Sequence, residues 1–340
     1  MLKPSVFDKY RAAVEVELHA SLATGSLPLY DMLRYHLGWT DVQGRPAKQT
    51  GGKFLRPTLC LSSCMATGGD AEKALPSAAA VELVHNFSLI HDDVQDVSDY
   101  RRHQLAVWKV WGVAQAITAG DSMYAFAHLE ILQLSRRGVP AHRVLASSEA
   151  LGQACRYLCE GQYLDVLFEG KQDVSVDEYL QMITDKTAAL MGTATRLGAI
   201  AATDDKSTIE CLSRFGHHLG IAFQVHDDVL GIWQSFGKTG KPQFNDILRR
   251  KKTLPVILGL TDSNASVSDA LSRLYAKQDI TQADAKEIAH LLESIGARER
   301  SLNMLKQHRQ LAANELAAMP NSAGANELME IMDFVLSADC

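Results

Sequence analysis

Two stretches of the sequence place paired aspartates after an identical histidine, and side chains of this type can bind a metal ion. The stretches are "SLIHDDVQD", residues 88–96, and "FQVHDDVLG", residues 223–231. Their aspartates are Asp92, Asp93, Asp96, Asp227 and Asp228. Both stretches follow apolar segments that are typical of buried helices. The first group lies toward the end of its helix, where the helix dipole disfavours negative charge, so we expect a cationic partner.

The spacing of the first group allows its carboxylates to act together. On a helix, Asp92 and Asp96 lie one turn apart on one face and Asp93 lies about 100° away, so the three can converge on one opening. Their mutual repulsion favours a hard divalent cation. Mg²⁺ in particular is held by one or two carboxylates, waters and the oxygens of a bound phosphate. The alternative, a solvated helix end, is disfavoured because the motif is repeated later in the chain.

Basic residues supply the fixed positive charge that a metal-bound polyphosphate also requires. The segment "GGKFLRP" places Lys53 and Arg56 at a predicted helix start, behind glycines that let the backbone approach an anion. Arg101 and Arg102 follow the first acidic stretch, and Lys186 interrupts an apolar helix. Each charge alone would be expected at the surface. Together with the carboxylates, they predict a site for a metal ion and a phosphorylated ligand.

The elements that must position these residues are predicted to be helices. The dominant period is helical, no hairpin signal interrupts it, and the prolines fall at presumed helix starts or in loops. The segments end at Gly, Pro or polar clusters. We therefore expect an all-α bundle forming a single domain over residues 1–340. The predicted helical stretches are 6–23, 73–96, 114–136, 142–168, 175–201, 207–233 and 298–318.

Composition excludes several other classes of protein. The chain has 340 residues, 46% of them hydrophobic, and a net charge of −6, which gives no electrostatic footprint for nucleic acid. Apolar runs are broken well before membrane-spanning length, and the N-terminus lacks a signal-peptide core, so a cytoplasmic protein is expected. The six cysteines form no zinc-binding pattern, and we expect buried, reduced thiols.

The ordered set of motifs resembles the trans-isoprenyl diphosphate synthases, also called polyprenyl synthetases. The resemblance covers roughly residues 45–260. Its elements are, in order, "GGKFLRP", "LIHDDVQD" with "RR" five residues on, "EGQYLD", "DKTAALMG", "FQVHDDVLG", "GKP" and "RRKKTLP".

This resemblance implies an isoprenoid synthase helical bundle around a central cavity, and it implies a homodimer. In that family an allylic diphosphate ionises where water is excluded, and the alkene of isopentenyl diphosphate attacks the cation. Three Mg²⁺ ions are implied to hold the allylic diphosphate, and the released diphosphate is the favoured base. The implied metal ligands are Asp92, Asp93, Asp96 and Asp227, with Asp228 in support.

The resemblance also implies roles for the other polar residues. The residues implied to grip the leaving group are Arg101, Lys186 and Lys241. The implied pocket for isopentenyl diphosphate comprises Gly52, Lys53, Arg56, His85 and Arg102. Thr187 and Gln224 are implied on the allylic side, with Gln224 near the forming cation.

The sequence departs from the family pattern in two places. Gly231 stands where the second acidic stretch usually has a third Asp, and we expect Asp227 alone to hold its ion. Because Gly231 would then not be a ligand, Gly231→Asp is expected to be well tolerated. Leu105 and Ala106, after the two arginines, suggest a changed loop.

Chain length of the product is predicted from Phe87 and Ser88, which lie five and four residues before Asp92. A prenyl tail anchored at Asp92 must pass them, and a large side chain there shortens the cavity. One aromatic and one small residue favour geranylgeranyl diphosphate (C20), with farnesyl diphosphate (C15) as the alternative. If Phe87 instead packs into the core, another helix forms the cavity floor.

Three other functions agree less well with the sequence. A class I terpene cyclase would share the fold but should carry a different metal motif on its later helix and no isopentenyl diphosphate pocket. A non-catalytic subunit should have lost one acidic stretch, whereas both are present. A helical scaffold without chemistry leaves the ordered charges unexplained.

Overall fold

Helices form nearly all the regular structure in the computed structural model, which describes residues 4–23, 25–47, 52–171, 173–234 and 244–337. The first helices are α1 (Val6–Leu22), α2 (Pro28–His36), α3 (Leu55–Ala66), α4 (Ala71–Gln95), α5 (Val107–Trp111), α6 (Val113–Leu132) and α7 (Ala141–Gly170), with a 3₁₀ helix at Gln133–Arg137. Helix α8 (Val176–Ile183) leads through a π-helical turn (Thr184–Ala188) into α9 (Ala189–Ala202). The remaining helices are α10 (Lys206–Trp233), α11 (Asn245–Leu248), α12 (Leu254–Leu260), α13 (Ala265–Tyr275), α14 (Gln282–Ser294), α15 (Ala297–Ala317) and α16 (Ala323–Leu336).

The predicted all-α fold is confirmed, and the long helices begin and end close to the predicted positions. The stretch predicted at 207–233, for example, is α10. Within the described ranges, no helix combines the length and apolarity needed to cross a membrane. The cysteines in those ranges are free, and all are buried except Cys159, which corrects the expectation for that residue. Cys340 lies outside the described residues.

A short β-hairpin after α4 departs from the expectation that no hairpin interrupts the helices. Strand β1 (Tyr100–Arg101) pairs antiparallel with β2 (Gln104–Leu105). The turn residues Arg102 and His103 have φ values of 50° and 66°. Two-residue hairpin turns favour Asn and Gly, which adopt positive φ easily, so Arg-His gives no recognisable sequence signal. The hairpin places Arg102 at a turn whose backbone is strained.

The starts of α8 and α10 are fixed by capping residues in the sequence. Ser175 accepts a hydrogen bond from the backbone N–H of Glu178, whose carboxylate accepts from the N–H of Ser175, so a capping box begins α8. Asp205 accepts from two backbone N–H groups at the start of α10. These caps fix the residue at which each helix begins.

The acidic stretches lie at the ends of α4 and α10, which are separated by α9. Helix α4 packs against α3, α6 and α9, and α10 packs against α9 and α15. The close approach of α9 to α3 depends on Gly198, because a Cβ at this position would lie 1.9 Å from the carbonyl oxygen of Cys60 on α3. This packing brings the ends of α4 and α10 to opposite sides of one space.

The π-helical turn lies at the centre of the bundle and contacts α7. Such turns are rare and frequently occur at functional sites. A Cβ at Gly161 of α7 would lie 2.2 Å from the backbone nitrogen of Lys186 in the turn. The glycine of "EGQYLD" therefore lets α7 touch the turn that carries Lys186 and Thr187.

Candidate active site

A cavity of about 240 Å³ lies between α4, α7, α8, the π-helical turn and α10. Its polar lining includes Arg56, His85, Ser88, Asp92, Gln162, Asp165, Lys186, Thr187, Gln224, Asp227, Asp246 and Lys251. Its apolar lining includes Leu89, Leu158, Met182, Ile183 and Phe223. The two acidic stretches, distant in sequence, thus face the same space.

Carboxylates from the two walls suit a Mg²⁺ ion bound together with a phosphate. Asp92 and Asp227 line the cavity from α4 and α10. Burial raises the pKa of Asp92, with the ammonium of Lys186 opposing this and Asp96 adding to it. Within the described residues, no three His, Cys, Asp or Glu side chains form a ready cage. Mg²⁺ needs no such cage, because water and phosphate oxygens complete its coordination.

Asp93 supports Arg101 instead of lining the cavity. Nε and Nη2 of Arg101 donate to Oδ1 of Asp93 at 3.0 and 2.6 Å. The carboxyl group is buried, which raises the pKa of Asp93, while the hydrogen bond from Arg101 opposes that shift. In this arrangement Asp93 binds a guanidinium, and the metal-ligand role that the resemblance implies for it stays a prediction. The arrangement also supplies the first acidic stretch with one of its expected cations.

Two lysines that line the cavity form ion pairs with aspartates. Nζ of Lys186 lies 2.5 Å from Oδ2 of Asp165, and Nζ of Lys251 lies 3.3 Å from Oδ2 of Asp96. Burial alone would raise the pKa of Asp165, but Lys186 and Lys251 hold it below its usual range. The roles of Asp165 and Lys251 were not predicted. Both lie in motifs of the family pattern, "EGQYLD" and "RRKKTLP", but the residue type of a single charge does not identify its partner.

A second group of basic side chains lies at the cavity. Arg56 and His85 line the cavity, and a Cβ at Gly52 would lie 3.0 Å from Nη2 of Arg102. Burial lowers the pKa of Arg56 to about 10, although Glu82 opposes the shift. Burial also lowers the pKa of His85, and the cations Arg56 and Arg102 lower it further. Nε of Arg56 is buried without a hydrogen-bond partner, so the group suits an anion such as diphosphate.

A buried amide behind this basic group orients Arg102. Nδ2 of Asn86 donates to Oε1 of Glu82 at 3.0 Å, which turns the amide oxygen outward. Nη1 of Arg102 then donates to Oδ1 of Asn86 at 3.3 Å. The sequence reasoning missed Glu82 and Asn86, because polar residues inside an apolar helix do not show which neighbour they contact.

Thr187 and Gln224 meet across the cavity. Oγ1 of Thr187 donates to Oε1 of Gln224 at 2.9 Å, and Nε2 of Gln224 donates to Oδ1 of Asp228 at 3.0 Å. Asp228 also accepts from the hydroxyl of Tyr179 at 2.6 Å and from the N–H of Leu254 at 2.9 Å. Burial raises the pKa of Asp228 to about 7, and these donors oppose the shift. Asp228 thus supports Gln224 from a buried position.

The remaining predicted residues are placed as follows. Ser88 lines the cavity and donates to the carbonyl oxygen of His85 at 2.8 Å. Phe87 is buried in the core, is not among the cavity-lining residues, and packs edge-on against Tyr124 of α6, with ring centroids 5.4 Å apart. Lys53 is exposed. Lys241 lies outside the described residues.

Comparison with known proteins gives consistent matches. A family model described as polyprenyl synthetase matches residues 45–292. The chain is 37% identical over 339 residues to a geranylgeranyl diphosphate synthase of Mycobacterium tuberculosis, covering 100% of this chain and 95% of the relative. It is 38% identical over 314 residues to a (2E,6E)-farnesyl diphosphate synthase of Mycobacterium bovis, covering 90% and 85% respectively.

Solved structures show the same fold. The crystal structure of a polyprenyl synthetase from Streptomyces coelicolor A3(2) superimposes with a TM-score of 0.91 at 36% identity, covering 98% of this chain and 99% of the other. The structure of a geranylgeranyl pyrophosphate synthetase from Pyrococcus horikoshii gives a TM-score of 0.88 at 31% identity, again covering 98% and 99%.

Proposed function

The chain belongs to the polyprenyl synthetase family, and on this basis we propose that it is a trans-prenyltransferase that condenses isopentenyl diphosphate with allylic diphosphates. The principal product is geranylgeranyl diphosphate (C20), and farnesyl diphosphate (C15) is the alternative, since relatives carry both names. One arrangement carries the proposal. Carboxylates face each other across a cavity, and a separate buried basic group lies on the same cavity, which provides for two diphosphates.

The allylic diphosphate is assigned to the acidic side of the cavity. Asp92, Asp96 and Asp227 would hold Mg²⁺, three ions in all, with the diphosphate oxygens completing the coordination. The bound ions neutralise the charge that develops on the leaving group. Lys186 and Lys251 lie beside these carboxylates and add fixed positive charge. On the family resemblance, Arg101 and Lys241 are assigned to the same group.

Isopentenyl diphosphate is assigned to the basic side. Arg56, His85 and Arg102 would bind its diphosphate, with Gly52 allowing close approach and Lys53 closing the pocket from the exposed side. A terpene cyclase ionises a single diphosphate substrate and needs no such second pocket. The basic group therefore favours condensation over cyclisation.

The reacting carbons would lie between the two diphosphates, beside Thr187 and Gln224. The oxygen end of the Gln224 amide faces Thr187, and its nitrogen is held by Asp228. Phe223 and Leu158 provide an apolar wall that excludes water from the allylic cation. The departing diphosphate, kept close by Lys186, accepts the proton that is lost.

We also propose that residues 1–340 act as one domain within a cytoplasmic homodimer. Helices α6 and α7 expose large apolar side chains along one side of the chain, including Ile117, Leu129 and Leu132 on α6 and Leu145 and Leu167 on α7. An apolar surface of this extent on paired helices is typical of a protein interface.

The direct test is incubation of the purified protein with Mg²⁺, isopentenyl diphosphate and C5, C10 or C15 allylic diphosphates, with products identified by mass spectrometry. We expect geranylgeranyl diphosphate and no product when Mg²⁺ is chelated. Formation of a cyclic hydrocarbon, or no product from any primer, would contradict the proposed function.

A further inference from the structure

The second acidic stretch ends in Gly231, and the space beside this glycine is taken by the carboxylate of another residue. A Cβ added at Gly231 would lie 2.0 Å from Oδ2 of Asp246 and 2.9 Å from its Cγ. Real Cβ atoms essentially never approach other heavy atoms within 3.0 Å. Asp246 therefore places its carboxylate where a side chain at position 231 would begin.

This position is the one from which a third carboxylate of the stretch would act. Gly231 lies four residues after Asp227 on α10, so both residues face the same side of the helix. Asp246 belongs to α11, which packs against α10. Asp246 also lines the cavity together with Asp227.

The neighbours of Asp246 place it beside the other acidic residues. Asp246, Asp165 and Lys251 line the same cavity, and Nζ of Lys251 lies 3.3 Å from Oδ2 of Asp96. The backbone N–H of Lys251 donates to the carbonyl oxygen of Asp246 at 2.9 Å, which ties the aspartate to this lysine.

We propose that Asp246 supplies the third carboxylate of the second acidic stretch, from a different helix, and stabilises the cation that Asp227 holds. The inference rests on the proposed function and names a further positioning residue for it. It also explains the glycine, because any side chain at position 231 would displace the carboxylate of Asp246. On this proposal, Gly231→Asp is tolerated only if the carboxylate of Asp246 moves aside for the new side chain.

The test moves the carboxylate from one helix to the other. Asp246→Asn removes its charge while keeping its shape, and Gly231→Ala displaces the carboxylate without adding charge. The double variant Gly231→Asp/Asp246→Ala returns a carboxylate from α10, because the Cβ of residue 246 lies 3.6 Å from a Cβ at position 231 and leaves room for it. Mg²⁺ affinity is measured by isothermal titration calorimetry in the presence of saturating inorganic diphosphate, alongside helicity by circular dichroism.

We expect both single variants to weaken Mg²⁺ binding about tenfold or more, as loss of supporting groups at metal sites commonly does. The double variant should recover to within about threefold of the wild-type affinity. Unchanged Mg²⁺ affinity in Asp246→Asn would overturn the proposal. The proposal would also be overturned if Gly231→Asp/Asp246→Ala folds but binds Mg²⁺ no more tightly than Asp246→Ala.

A second pair of variants keeps the proposal testable if the double variant does not fold. Gly231→Ala acts only by displacing Asp246, so adding it to Asp246→Ala should cause no further loss of Mg²⁺ affinity. Additive losses would overturn the proposal. Product formation by the wild-type protein is a separate result: its absence contradicts the proposed function, while the calorimetry still decides whether Asp246 supports the cation.

Discussion

At the scale of single residues, the two HDDV repeats divide their aspartates in the same way. The first aspartate of each, Asp92 or Asp227, faces the cavity. The second, Asp93 or Asp228, is buried and accepts hydrogen bonds from protein donors, although Asp228 also borders the cavity. Like charges that face open space add little to folding stability, whereas a buried acceptor must be satisfied. We therefore expect the first aspartate of each repeat to act in the chemistry and the second to support it.

This division predicts opposite effects within one motif. Asp227→Ala should lower turnover by about a hundredfold or more and leave the melting temperature nearly unchanged. Asp228→Ala should cost about 1–3 kcal/mol of folding stability, because the Tyr179 hydroxyl, the Gln224 amide and the Leu254 N–H lose their acceptor. Thermal denaturation and steady-state rates distinguish the two. Near-normal turnover in Asp227→Ala would exclude the acidic clamp.

Substitutions in the two basic groups should affect different kinetic constants. Arg56→Ala should chiefly raise the Michaelis constant for isopentenyl diphosphate, by about tenfold or more, because it removes ground-state binding. Lys186→Ala should chiefly lower the turnover number, because Lys186 lies on the leaving-group side. Arg56→Lys, which keeps the charge but not the fork, should lie between wild type and Arg56→Ala. Equal effects of all three variants on both substrates would show that the pockets are not distinct.

Residue types and spacing predicted which side chains carry charge but not how they pair. Asp92 and Asp227 could be predicted to share a ligand because the motif repeats. The pairing of Asp165 with Lys186 could not, since it depends on Gly161 letting α7 touch the π-helical turn. The position of Asp246 beside Gly231 likewise follows only from the packing of α11 on α10.

At the scale of elements, we predict that α4 sets how far the cavity extends from the acidic stretch. Ser88→Phe should shift products toward C15, because Ser88 lines the cavity one turn from Asp92. Phe87→Ala should shift products toward C25 or longer by opening the space between α4 and Tyr124. Ser88→Ala, which removes the hydroxyl without adding bulk, should leave the distribution unchanged. Products are identified by mass spectrometry. An unchanged product distribution in both Ser88→Phe and Phe87→Ala would show that these residues do not set the product length.

Helix α1 is joined to α6 through a pair of buried carboxyl groups, which predicts a pH-dependent stability. Burial raises the pKa of Glu130 from 4.5 to about 7, with Ser21 opposing the shift and Glu17 adding to it. Between about pH 4.5 and 7 the folded state keeps a proton that the unfolded state loses, so stability falls as pH rises. Glu130→Gln should abolish this fall, a change of about 1–2 kcal/mol after solvent screening.

Melting temperatures at pH 5 and pH 8 check this expectation. Glu72→Gln is the matched control, because exposed Glu72 lies near the same Arg137 that binds Glu17. It should retain the wild-type pH dependence. The same pH dependence of the melting temperature in wild type and Glu130→Gln would contradict the interpretation that Glu130 keeps its proton in the folded state.

Long helices with strong apolar periods were predictable, and short or irregular elements were not. Helices α7 and α10 have clear end signals in sequence. The hairpin at residues 100–105 lacks the usual turn residues, and the π-helical turn has the composition of an ordinary helix. Both irregular elements are imposed by tertiary packing, and both hold residues assigned to substrate.

At the scale of the whole molecule, the exposed apolar side of α6 and α7 predicts a dimer. Sedimentation velocity should give twice the 37.2 kDa mass of one chain. Leu129→Asp with Leu132→Asp, at positions 54% and 51% exposed, should yield monomers. The control Leu311→Asp, at a position 37% exposed on α15, should remain dimeric. A monomeric wild-type protein would contradict the proposed dimer.

The π-helical turn has a genetic consequence. Its five residues, Thr184–Ala188, join α8 to α9 with one residue more than a regular helix would use. Deletion of a single codon there would remove the extra residue and produce an uninterrupted α-helix in which α8 and α9 keep their relative register. Lys186 and Thr187, which the turn carries, would then lose the positions from which they line the cavity, although every residue type needed for helix formation remained. In-frame deletions at this point should therefore yield chains that are still helical yet inherit no working site.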